Sequence, residues 1–105
     1  MAKSKQKGHG FERELVGTLR ALGYEAERAW GSNGKALGEA EDVDVVFAGL
    51  GLPRKRVQAK RRAKLASYMK PSDTVDMVMM REDRGETLVV MRLEDMLDML
   101  FEARS

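Results

Sequence analysis

Apolar residues recur at helical spacing from Phe11 onward: Phe11, Leu15, Val16, Leu19 and Leu22 form one stripe, with Arg13, Thr18 and Arg20 away from it. The stripe predicts a helix over residues 11–22, stopped by Gly23. The period then falls to two, with Tyr24, Ala26, Arg28 and Trp30 on one face and Glu25, Glu27 and Ala29 on the other, so residues 24–30 read as a strand. A loop over 31–41 contains three glycines. After it comes the pattern of a β-hairpin: an apolar, β-branched run over 43–48, a Gly/Pro-containing connection over 49–53, and a second extended run ending at Lys60. Residues 63–70 predict a short helix with Leu65, Tyr68 and Met69 inward, stopped by Pro71. A second hairpin is expected from 75–80 and 87–92 about a polar turn. Residues 93–102 read as an acidic amphipathic helix with Leu93, Met96, Leu97, Leu100 and Phe101 on its apolar face. Met77, Met79, Met80, Met91, Met96 and Met99 suit adaptable core filling. The order is α-β-β-β-α-β-β-α, an α/β chain.

The first hairpin carries the chemistry. If its strands fold back about Gly51, Asp44 and Gln58 lie equidistant from the turn and become cross-strand neighbours, with Cβ atoms roughly 5 Å apart. Lys60 joins them, because side chains two apart on a strand share a face. One carboxylate, one amide carbonyl and one ammonium then converge. Oxygen ligands for a hard divalent cation, with a positive group beside phosphate and water, are what metal-assisted phosphodiester hydrolysis requires. Asp44 interrupts Val43, Val45, Val46 and Phe47, where an ionised carboxylate is costly unless it is paired or binds a metal. A strand-end salt bridge is the plainer alternative. Glu12 and Glu14 fall in the first turn of the expected helix, where the helix dipole favours a carboxylate. Glu12 also stands beside the apolar stripe, from where it is a candidate third oxygen ligand facing the hairpin.

Charge sharpens this picture. Residues 1–71 carry 15 Lys and Arg against 8 Asp and Glu, net +7, whereas 72–105 carry 4 against 9, net −5. The basic part holds the proposed site, so a polyanion such as nucleic acid is its natural partner. Seven basic residues lie between Arg54 and Lys64, and Lys3, Lys5 and Lys7 stand on alternate positions of a polar segment. That segment, about residues 1–10, reads as a mobile basic arm. At 105 residues one domain is expected over 1–105. The absence of cysteine excludes disulfides and thiolate zinc sites, and the single histidine, His9, excludes a histidine pair. The glycine loop lacks a phosphate-loop ending, so no nucleotide cofactor is expected. No apolar run approaches the ~20 residues of a membrane span, and a cytoplasmic protein with no membrane partner is expected.

The order KGHGFERELVGTLRALGYEAERAWGS, then DVDVVFAG, then VQAK, resembles the archaeal-type Holliday junction resolvases, a branch of the PD-(D/E)xK nuclease superfamily that includes small phage-encoded members. The likeness covers roughly residues 7–62. It implies a mixed β-sheet flanked by α-helices, and a Mg²⁺-dependent endodeoxyribonuclease (with Mn²⁺ an alternative) that acts as a homodimer on branched DNA and resolves four-way junctions by paired symmetric nicks. By position, the resemblance assigns catalysis to Glu12, Asp44, Gln58 and Lys60, with Asp44, Gln58 and Glu12 holding the metal. It directs Arg13 and Arg28 at DNA phosphates and puts a small polar site residue at Ser32. The charge pattern adds Lys3, Lys5, Lys7, Arg61, Arg62 and Lys64 as DNA-binding candidates. Two departures stand out: Gln58 replaces the usual glutamate, removing a negative charge at the metal, and the loop before Asp44 is longer. Three other readings remain open: a related nuclease acting on flap, single-stranded or duplex DNA, a catalytically degenerate DNA-binding module, and a protein-interaction domain using its Met-rich face.

Overall fold

The computed structural model describes the main chain of residues 2–29 and 33–104 and the side chains of 10–29 and 33–104. The chain divides into two compact units, Met1–Arg61 and Arg62–Ser105. Each has its own antiparallel sheet.

In the first unit, helix α1 spans Ala2–Ala21. It begins well before Phe11 and takes in the segment expected as an arm. Ala2 to Lys7 are mostly good helix formers, and Gly8 and Gly10 each cost only about 1 kcal/mol within a helix, too little to stop it. The helix ends in a Schellman closure: Gly23 has φ +97°, its N–H bonds to Arg20 O at 3.0 Å, and the Tyr24 N–H bonds to Leu19 O at 3.1 Å. Leu22 therefore lies in the turn and is exposed.

Three strands follow: β1 (Glu25–Arg28), β2 (Val45–Gly49) and β3 (Leu52–Val57), in the order β1-β2-β3. Central strand β2 is buried at Val45, Val46 and Phe47, which explains a continuous apolar run rather than an alternating one. On β1, Ala26 is buried while Glu25 and Glu27 are exposed, the expected alternation. Helix α1 packs on β1 and β2. Val16, Leu19, Tyr24, Ala26, Val45 and Phe47 are all buried, and Tyr24 meets Phe47 edge-on with ring centroids 5.7 Å apart. The hairpin turn places Leu50 (φ 54°) and Gly51 (φ 85°) in the left-handed region, as a two-residue type I′ connection requires.

The loop before β2 contains a 3-10 turn, Gly34–Leu37, capped by Asn33, whose side chain accepts from Lys35 N–H at 3.0 Å. Gly34 is buried so closely that a Cβ would collide with Ala40 O and lie 2.9 Å from Val43 O. Arg54 on β3 ties this loop down, with Nε donating to Glu39 Oε2 at 2.8 Å and Nη2 to Leu37 O at 3.2 Å.

The second unit comprises a 3-10 turn (Ser67–Met69), β4 (Met77–Arg81), β5 (Thr87–Met91) and helix α2 (Leu93–Ala103). The helix expected over 63–70 shrinks to that single turn because its inward residues find no cover: Leu65 and Tyr68 are exposed. Strands β4 and β5 pair in uninterrupted antiparallel register from Met77↔Met91 to Arg81↔Thr87. Arg92 fastens residues 71–75 to the start of α2, donating to Ser72 O at 2.8 Å and to Pro71 O and Val75 O at 3.2 Å. Met79 and Met99, expected in the core, are exposed.

The expected mixed sheet is not what the described residues form. Every pair among their strands is antiparallel, in one three-stranded and one two-stranded sheet. The two tight hairpins, β2–β3 and β4–β5, can only be antiparallel, since a parallel pair needs a crossover of a dozen or more residues.

Candidate active site

Among the described residues, the buried polar or charged side chains are two acids, Glu12 (3% exposed) and Asp44 (8%). Both belong to the first unit and both are sequence candidates. With α1 starting at Ala2, Glu12 lies mid-helix and its first turn holds no acid, so the helix-dipole explanation for Glu12 no longer applies. Its carboxylate instead faces β1, 3.8 Å from Arg28 Nη1.

Asp44 sits one residue before β2. Its main chain joins both neighbours, accepting from Ala29 N–H at 2.9 Å and donating to Val57 O at 2.8 Å. The register Val45↔Val57, Val46↔Arg56, Phe47↔Lys55 ends at Val45, because the Asp44 N–H goes to Val57 O, one residue short of the Gln58 carbonyl that the register would offer. The hairpin folds back as expected up to that pair. Strand β3 nonetheless stops at Val57 rather than Lys60. The reason lies in Asp44 itself, whose Oδ2 accepts from Ala59 N–H at 2.7 Å. A side-chain acceptor takes a donor that a strand partner would otherwise receive, and the bond to a carboxylate is charge-assisted. Segment 58–60 is thereby held at the Asp44 carboxylate, and Gln58 and Lys60, on either side of Ala59, are exposed.

The remaining candidates are distributed as follows. Arg13 is exposed on α1 and Arg28 is half-buried on β1. Arg61 closes the first unit, Arg62 and Lys64 open the second, and all three are exposed. Ser32 and the side chains of Lys3, Lys5 and Lys7 lie outside the described residues. Among the described residues no group of three or more His, Cys, Asp or Glu side chains is placed to hold a metal. The expected set has two carboxylates and an amide. Its donor chemistry, oxygen atoms from two carboxylates and one amide, is the kind that suits a hard cation.

Sequence reasoning missed three contributors. The Ala59 N–H leaves no side-chain signal. Arg54 reads as one of a basic run, yet it anchors the loop leading to Asp44. Arg20 reads as a solvent residue, yet its Nε donates to Ala26 O at 2.8 Å.

A helix packed on a three-stranded antiparallel sheet, with one buried acid on the helix and one just before the central strand, defines an α/β domain. A profile described as Archaeal Holliday junction resolvase (Hjc) matches residues 3–104. The chain belongs to that family, and membership makes it a nuclease directed at branched DNA. No curated protein and no solved structure matches it. Among the described residues no helix is long and apolar enough to cross a membrane.

Proposed function

We propose that the protein is a metal-dependent endonuclease of the PD-(D/E)xK kind that resolves four-way DNA junctions by paired symmetric nicks. The observation that carries this reading is the burial of Glu12 and Asp44, which are the two acids that the family pattern assigns to the metal. Asp44, Gln58 and Glu12 would hold Mg²⁺ or Mn²⁺. A divalent cation bound there supplies positive charge at the scissile phosphate and a more acidic water. Asp44 fixes the 58–60 segment through the Ala59 N–H, Arg28 restrains Glu12, and Lys60 orients the attacking water or stabilises charge developing on the phosphate. Basic residues on the same chain contact the sugar-phosphate backbone, so selection rests on shape. Two active sites in a two-fold homodimer would cut matching strands.

The test is cleavage of a labelled four-way junction beside duplex, flap and single-stranded controls, in Mg²⁺ and in EDTA. Paired nicks in the junction alone, abolished by EDTA, are expected. Cutting of the controls instead would retain the chemistry and change the substrate.

Gln58 favours a second reading, a DNA-binding module that has lost catalysis, because an amide brings no charge to the metal. If that reading holds, Gln58→Glu should create Mg²⁺-dependent cleavage in an inert parent. A parent that already cuts removes it.

A further inference from the structure

Arg20 lines a recess of about 560 Å³ together with Arg13, Gly17, Glu27, Arg28 and Ala36. Three of these side chains are cationic and one is acidic, so the recess favours an anion even with Glu27 present. Arg13 and Arg20 are seven residues apart on α1, two helical turns or roughly 10 Å along the axis. Gly17 stands between them, and a Cβ added there would meet no atom within 4 Å. The helix therefore offers two arginines separated by open space.

The arginines of the first unit are held differently. Arg54 is engaged by Glu39 and a carbonyl, and Arg28 stands beside Glu12. Arg20 is exposed and, among the described residues, is anchored by its Nε to the carbonyl of Ala26. That anchor fixes the guanidinium plane while leaving both terminal NH₂ groups as a fork, the geometry that grips a phosphate with two parallel bonds.

We infer that Arg20 is a phosphate-contact residue, and that the recess between Arg13, Arg20 and Arg28 takes a phosphodiester of a bound DNA strand. The identity of the anion rests on the nuclease reading above. The presence of an anion site rests on the recess itself. Arg20 also lies in the last turn of α1, where a cation favours the helix dipole, so the test must separate binding from support of the fold.

The experiment is a salt titration of the binding of a fluorescent four-way junction in EDTA, with thermal unfolding measured in parallel. Arg20→Gln should lower the slope of log affinity against log salt by about 1 and weaken binding roughly tenfold. Gly17→Leu removes no charge and replaces a mid-helix glycine with a better helix former. It should unfold at a higher temperature yet bind the junction more weakly, because its side chain fills the recess. Glu27→Gln should tighten binding. Millimolar inorganic phosphate should compete poorly with the junction, whereas phosphate that binds the parent but not Arg20→Gln, while leaving junction binding unchanged, would assign the recess to a free anion and overturn the DNA contact. An unchanged slope in Arg20→Gln, or weakening that follows unfolding temperature in both helix variants, would also overturn it. A parent that binds the junction but never cuts would defeat the nuclease reading and leave this inference to the Arg20 slope. A parent that binds no DNA would defeat both.

Discussion

The described residues contain two antiparallel hairpins, β2–β3 and β4–β5, each with valine-rich strand residues, that differ in burial. Val45 in the first is fully buried, whereas Val89 in the second is 52% exposed. The second has the more regular register, running from Met77↔Met91 to Arg81↔Thr87 without interruption, while the first carries an irregularity between Phe47 and Gly49. Regular pairing is therefore not what makes a site. The first hairpin gains its chemistry because β2 is the central strand of three with α1 packed on it. That cover drives a carboxylate at its end out of water, where it must find a donor or a cation. The β4–β5 hairpin contains no buried carboxylate among its described residues.

The comparison can be broken most strongly at Asp44. Asp44→Asn should lower cleavage by roughly 10²-fold or more, the scale seen when a charge-stabilising group is removed. Junction binding should be retained, because it draws on arginines and lysines spread over the surface, and the Asn carbonyl can still accept from Ala59. Joint loss of binding and cutting in a folded variant would contradict the division of roles. A further break is Gly34→Ala, where the added methyl collides with Ala40 O and crowds Val43 O. A loss of about 3 kcal/mol or more is expected in denaturant unfolding, together with reduced cleavage, because the displaced loop runs directly into Asp44. Smaller is a pair of equivalent truncations read in the same way. Val45→Ala should destabilise by about 2 kcal/mol, and Val89→Ala should change stability by no more than about 0.5 kcal/mol; equal losses would erase the distinction between the hairpins.

The path of the first hairpin was legible because it depends on local counting. Folding about Gly51 agrees with the observed register as far as Val45↔Val57, after which the Asp44 N–H turns to Val57 O instead of Gln58. The placement of Glu12 beside the apolar stripe likewise anticipated its burial. What was not legible depends on contacts between distant residues. The early start of α1 was hidden because Gly8 and Gly10 resemble punctuation, though each carries only a small helical penalty. The end of β3 at Val57 was hidden because a side chain fifteen residues earlier captures the Ala59 N–H. The two separate antiparallel sheets could not be distinguished from one mixed sheet by strand patterns, which report faces rather than neighbours. Arg54 and Arg92 show the same limit. Both look like surface charge in sequence, and both fasten loops through main-chain carbonyls.

The irregularity between Phe47 and Gly49 makes the length of the first hairpin matter to what faces Asp44. Near the turn Gly49 pairs with Leu52, whereas beyond it Phe47 pairs with Lys55, so β3 uses one residue more than β2 across the bulge. A strand shifted by one position turns each side chain to the opposite face. A single residue added to or removed from the Leu50–Gly51 turn, far from the acid, would leave every proposed catalytic side chain present in the chain and present Asp44 with the wrong neighbour.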